Sequence, residues 1–167
     1  RSFVSWHEIA VVSGEQKLRV TLAAFSEQEC RLSVVDNAGV GDNPKFASLA
    51  HAMRATGAVA GCNGGFFERH PFQPVGLLVA DGKPAGTYDP NSWMRGLLII
   101  RGGHAALEPT TLHPTPPSEA TSVLQSGPWL VREGRTETDN DRTQRAPRTF
   151  VGRDARDHWA LGVSSPC

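Results

Sequence analysis

Gly61-Cys62-Asn63-Gly64-Gly65-Phe66-Phe67 follows a short apolar run, Ala58-Val59-Ala60, and leads into a charged, proline-bounded segment, Glu68-Arg69-His70-Pro71. A short strand is expected to run out here into a turn whose glycines remove every Cβ that would crowd the backbone. Glycine accepts positive φ and allows close approach, so main-chain N–H groups in such a turn can face an anion. Asn63 adds an amide that both donates and accepts. Phe66 and Phe67 are expected to re-anchor the chain in the core, and Cys62 to be a small buried residue. The plain alternative is a glycine-rich turn between two strands, with Asn63 holding it through a side-chain-to-backbone hydrogen bond.

Upstream of this turn one helix is signalled. Asn43 suits an N-cap, Pro44 the first helical position, and Phe46, Leu49, Ala50 and Met53 fall at helical spacing. Gly57 stands where a left-handed C-terminal residue belongs. Before the helix, Phe3 to Val12 reads as a strand that turns at Ser13-Gly14. Leu18, Val20, Leu22 and Ala24 alternate with Lys17, Arg19, Thr21 and Ala23, the period of a strand with one buried face. Arg31 to Val35 reads as a third strand of an antiparallel meander.

Downstream, Pro74-Val75-Gly76-Leu77-Leu78-Val79-Ala80 leads to Asp81-Gly82, a hairpin turn. Leu97-Leu98-Ile99-Ile100 is apolar on both faces and is expected to be a central strand turning back at Gly102-Gly103. Val123-Leu124-Gln125-Ser126-Gly127-Pro128 is a strand broken by Ser-Gly-Pro, followed by a turn at Glu133-Gly134. Thr136 to Thr143 reads as a polar surface loop. Ala146 to Gly152 and Trp159 to Val163 form the last hairpin. No repeat or low-complexity tract interrupts the pattern, so residues 1–167 read as one domain.

The 167 residues suffice for a core, with 39% hydrophobic and 20% charged residues. Lys+Arg and Asp+Glu are both 17, which gives no net field to recruit nucleic acid or an acidic membrane. No apolar run is long enough to span a bilayer. Cys30, Cys62 and Cys167 match no metal motif, the histidines are scattered singly, and no metal or cofactor is expected. Asp139-Asn140-Asp141 lacks the ligand spacing and glycine of a calcium loop and is expected to face solvent.

The residues with chemistry to offer are those of the Asn63 turn, the Gln125-Ser126-Gly127 break and the arginines around Arg148. A backbone nest, amide side chains and a guanidinium fork together suit a phosphorylated or carboxylated ligand. Arg148 could instead pair with a core carboxylate, Glu68-Arg69-His70 could be a solvated turn, and Arg145 reads as surface. Ser126 lacks the glycine-x-serine-x-glycine frame of a nucleophile.

Four stretches in order resemble the phosphodiester glycosidase family: Asn63-Gly64-Gly65-Phe66-Phe67; Pro74 to Val79 with Asp81-Gly82-Lys83; Gln125-Ser126-Gly127-Pro128 with Leu130-Val131; and Pro147-Arg148-Thr149 with Gly152. The resemblance implies a hydrolase cleaving the glycosidic bond of a sugar-1-phosphodiester. It implies an α+β fold, a strand-rich, largely antiparallel mixed sheet with few helices. Carried over by motif, Asn63, Gly64 and Gly65 line the site, Gln125, Ser126 and Gly127 lie opposite, Arg148 holds phosphate, and Thr149 is a further substrate-binding residue. Glu68 is the carboxylate adjacent to a recognised motif, and Glu68 and Arg148 are the catalytic candidates. Family members usually continue into a helix and an Asp-Gly-Gly segment that joins the site. A segment beyond Cys167, a cleaved remainder or a partner subunit, is therefore expected to complete the fold and supply a further carboxylate. An extracellular or periplasmic location is expected. The rival reading is a glycan- or sugar-phosphate-binding module without catalysis.

Overall fold

The computed structural model describes residues 3–13, 16–39, 43–137 and 146–166. Gly14, Arg145, Cys167 and residues 138–143, which include Asp139-Asn140-Asp141, lie outside them. The chain divides into two compact units. The terminal unit takes Arg1–Arg31, Ala47–Asn63 and Gln144–Cys167; the central unit takes Leu32–Phe46 and Gly64–Thr143. Every strand pairing among the described residues is antiparallel. The expected mixed sheet is therefore corrected: the described residues are largely β, with one α-helix of eight residues among them. That helix is not long and apolar enough to cross a membrane.

The terminal unit carries β1 (Ser5–Ser13), β2 (Gln16–Ser26), α1 (Leu49–Thr56), β12 (Arg148–Arg153) and β13 (His158–Pro166). Its four-stranded sheet has the order β1-β2-β13-β12. The expected third meander strand, Arg31 to Val35, is irregular. The free edge of β2 is taken instead by β13, with Trp159 opposite Phe25 and Leu161 opposite Ala23. This pairing also reverses the expected buried face. Ala23 and Phe25 are buried with Trp159, whereas Leu18 on the other face is exposed. Alternation alone could not choose the face, because both sets of β2 residues include apolar side chains.

Helix α1 ends as expected: Gly57 has φ 70° and donates its N–H to the Met53 carbonyl. It begins later than expected. Ser48 is the N-cap, and its Oγ accepts from the His51 N–H at 3.1 Å. Asn43 cannot start it because residues 43–46 are held by the central unit's own loop. The Asn37 side chain accepts from Phe46 N at 2.7 Å, and Lys45 N donates to Asn37 O at 2.8 Å. The helix buries no residue completely.

The central unit contains β3 (Phe67–Arg69), β4 (Phe72–Pro74), β5 (Leu78–Ala80), β6 (Lys83–Ala85), β7 (Gly96–Arg101), β8 (His104–Pro109), β9 (Ser122–Ser126), β10 (Val131–Arg132) and β11 (Arg135–Thr136). Its main sheet runs β6-β5-β9-β7-β8. As the doubly apolar sequence requires, β7 lies between two neighbours, and Leu97, Leu98, Ile99 and Ile100 are all buried. Leu77, Leu97, Ile99 and Val123 form the core cluster, with Val79, Tyr88 and Ala120 packed against it. Each such aliphatic side chain contributes about 1.5–3 kcal/mol by leaving water. Three hairpins close through two-residue turns with positive φ at both positions: Asp81-Gly82, Gly102-Gly103 and Glu133-Gly134. That is the geometry their sequences encode.

Candidate functional site

The segment Glu68-Arg69-His70 is exposed, but only His70 lies in a turn, which it forms with Pro71. Phe67, Glu68 and Arg69 form β3, which pairs with β4 so that Glu68 stands opposite Gln73. Cross-strand partners project from one face, and Gln73 Nε2 donates to Glu68 Oε2 at 2.8 Å. These two side chains, with Pro74, Gly76, Gly86 and Thr87, line an open cleft of about 210 Å³.

The cleft floor depends on two glycines. Gly76 has φ 85° and Gly86 has φ 70°. A Cβ on Gly86 would collide with the Gly76 carbonyl oxygen, so the two backbones touch where no side chain fits. Beneath them sits Gln125, completely buried. Its Oε1 accepts from Leu77 N at 3.1 Å and Asp89 N at 3.3 Å. Its Nε2 is surrounded by Asp89 O at 2.6 Å, Met94 O at 3.1 Å and Ser92 Oγ at 3.3 Å. One amide thus ties residue 77, next to Gly76, to the loop that follows Gly86. Such a buried amide is costly to disturb, since each orphaned partner costs about 1–3 kcal/mol. Thr110, also buried, braces the same loop through its Oγ1 to Pro90 O at 3.0 Å.

The motif residues therefore divide by what they touch. Gln125 spends its amide on the protein interior. Gly127 allows the backbone of Trp93, Met94 and Arg95 to approach, and a Cβ there would stand 2.9 Å from Met94 Cα. Ser126 is half-buried and stands opposite Gly96. Gly64 and Gly65 correct the anion-nest expectation. Neither has φ in the left-handed range, and a Cβ on either would meet Leu124, at 2.9 Å and 3.0 Å. They are glycine so that Leu124 can pack against the main chain. Phe66 and Phe67 are corrected as well. They are 45% and 51% exposed rather than core, with Phe66 edge-on to Trp93 at 4.8 Å and Phe67 against Phe72 at 5.1 Å.

In the terminal unit the structure brings Asn63 and Thr149 together. Thr149 Oγ1 donates to Asn63 O at 2.9 Å, so it is the Asn63 backbone that is held. The Asn63 side chain is exposed and makes no hydrogen bond among the described residues, contrary to the turn-holding alternative. Arg148 opens β12, is exposed and reaches only the Pro147 carbonyl, at 3.3 Å. Among the described residues no carboxylate pairs with it. Arg148 and Thr149 are successive strand residues and so point to opposite faces of their sheet. Cys62, half-buried, has its thiol pKa raised by burial, which suits the inert role expected of it. Asp154 in the β12–β13 turn is held below the usual carboxylate range, first by the backbone N–H of His158.

A larger open cavity of about 700 Å³ also belongs to the terminal unit. It lies over a row of small residues, Ser5, Ala24, Ala160 and Gly152, that crosses all four strands. Of the motif residues it holds only Gly152, so size does not make it the site. The residues sequence reasoning missed are Gln73, Gly76, Gly86 and Thr87 as walls of one cleft. The signal for Gln73 was present. A hairpin closed at His70-Pro71 pairs 69 with 72 and hence 68 with 73.

A family profile for phosphodiester glycosidases matches residues 56–165, more than half of the chain. The chain belongs to the phosphodiester glycosidase family. No curated protein matches it.

Proposed function

We propose that the chain is a hydrolase that cleaves the glycosidic bond of a sugar-1-phosphodiester, with the scissile bond received in the cleft beside Glu68. The observation that carries this reading is the Glu68 carboxylate at the rim of a cleft whose wall includes the motif residues Pro74 and Gly76, one oxygen held by Gln73 and the other without a partner among the described residues. Glu68 acts as general base. It takes a proton from a water whose oxygen bonds to the anomeric carbon, while the carbon–oxygen bond to phosphate breaks and its electron pair leaves with the phosphate. A phosphate monoester is a weak base, so this leaving group needs less acid assistance than a sugar alkoxide. The proton on Glu68 then passes to solvent.

The family motif implies a phosphate contact for Arg148, which belongs to the terminal unit. Loss of a charge-assisted hydrogen bond costs roughly 1.5–3 kcal/mol, so Arg148→Ala is expected to weaken binding about ten- to a hundred-fold in a folded protein. A panel of sugar-1-phosphodiesters, read by released sugar, tests the whole proposal. Release of free sugar and a phosphate monoester is expected. Binding without turnover across the panel would favour the non-catalytic module instead.

A further inference from the structure

We infer that Gln73 is a positioning residue for Glu68, an inference that rests on the general-base reading above. The hairpin β3–β4 fixes the register: Phe67 pairs with Pro74, Glu68 with Gln73 and Arg69 with Phe72. A one-residue slip would send the two side chains to opposite faces. Two contacts hold that register. Phe67 packs its ring on Phe72 at 5.1 Å, and Val75 N donates to Phe66 O at 2.8 Å just beyond the paired residues.

On the hairpin face that carries Glu68, the Gln73 amide N–H donates to Oε2 at 2.8 Å, and both residues line the cleft. An exposed glutamate otherwise samples several rotamers about its three side-chain torsions. The amide selects one of them and leaves Oε1 to meet the attacking water. Glutamine suits this task because it is a neutral donor. It orients the carboxylate without cancelling the charge that makes it a base, as a lysine or arginine at 73 would. The benefit is geometric, since a base misplaced by about 1 Å costs on the order of a hundred-fold in rate.

The test uses the purified protein with the methyl phosphodiesters of glucose-1-phosphate and N-acetylglucosamine-1-phosphate, followed by sugar release. Gln73→Leu keeps the side-chain size and removes the donor. It is expected to lower kcat at least ten-fold with KM within two-fold and the thermal midpoint unchanged. A residue that merely supports the hairpin would shift the midpoint or KM instead. Wild-type kcat in Gln73→Leu, while Glu68→Gln is inactive, overturns this inference and leaves the general base standing. Wild-type kcat in Glu68→Gln removes the general base and Gln73's role with it. No turnover of either diester by the wild-type protein counts against both.

Discussion

Two pairs of glycines in the central unit serve different physical ends. Gly64-Gly65 sits in the richest glycine run of the chain, yet neither residue needs a left-handed backbone; both make room for Leu124. Gly76 and Gly86 lie in separate, less conspicuous stretches, yet both have positive φ and their backbones meet at the floor of the Glu68 cleft. The density of glycines thus marks a packing site, and the isolated ones mark the cleft. A glycine is required either by its own dihedral or by what presses on it, and only the first can be guessed from its neighbours in sequence.

Substitution by alanine separates these causes by size. Gly86→Ala meets both penalties, a left-handed φ and a collision with a backbone carbonyl that cannot move aside. It is expected to cost about 3 kcal/mol or more in chemical denaturation, the range of a strained, overpacked site. A loss under about 1 kcal/mol would show that the two loops separate freely. Gly64→Ala presses only on the far end of Leu124, so about 1–2 kcal/mol is expected, and the same substitution made in a Leu124→Ala background is expected to cost much less. Turnover per folded molecule should survive. A selective loss of phosphodiester binding at Gly64→Ala would restore the anion nest and collapse the distinction drawn here. Gly82→Ala has φ 73° and open space around it, so only the dihedral cost of about 1 kcal/mol is expected, read as a small fall in the denaturation midpoint.

Much of the fold was legible where the code is local. Asp81-Gly82, Gly102-Gly103 and Glu133-Gly134 specify their hairpins within two residues, and Gly57 specifies the end of α1. The apolar run from Leu97 to Ile100 declares its central place because no polar residue offers it a solvent face. What failed was set by distant partners. The start of α1 was moved by Asn37 gripping Phe46, nine residues on. The buried face of β2 was chosen by β13, more than a hundred residues away, whose Trp159 pairs with Phe25. Gln125 was legible as important but not as buried. Its five amide contacts come from the main chain of residues 77, 89 and 94 and the Ser92 hydroxyl, none of them recognisable in sequence. Glu68 was singled out by its adjacency to a motif, while its orientation by Gln73 follows from the register of a hairpin closed at His70-Pro71.

The cleft, rather than the Gly64-Gly65 turn, is held here to be where chemistry occurs, and Glu68→Gln tests that most directly. The substitution preserves the size of the side chain and leaves an oxygen for Gln73 to donate to, so the hairpin should fold unchanged. Release of sugar from a sugar-1-phosphodiester, measured as kcat at saturating substrate, is expected to fall by about a hundred-fold or more, the range of a lost general base, with the thermal midpoint retained. Wild-type kcat in this variant would contradict the account and place the reaction elsewhere in the molecule.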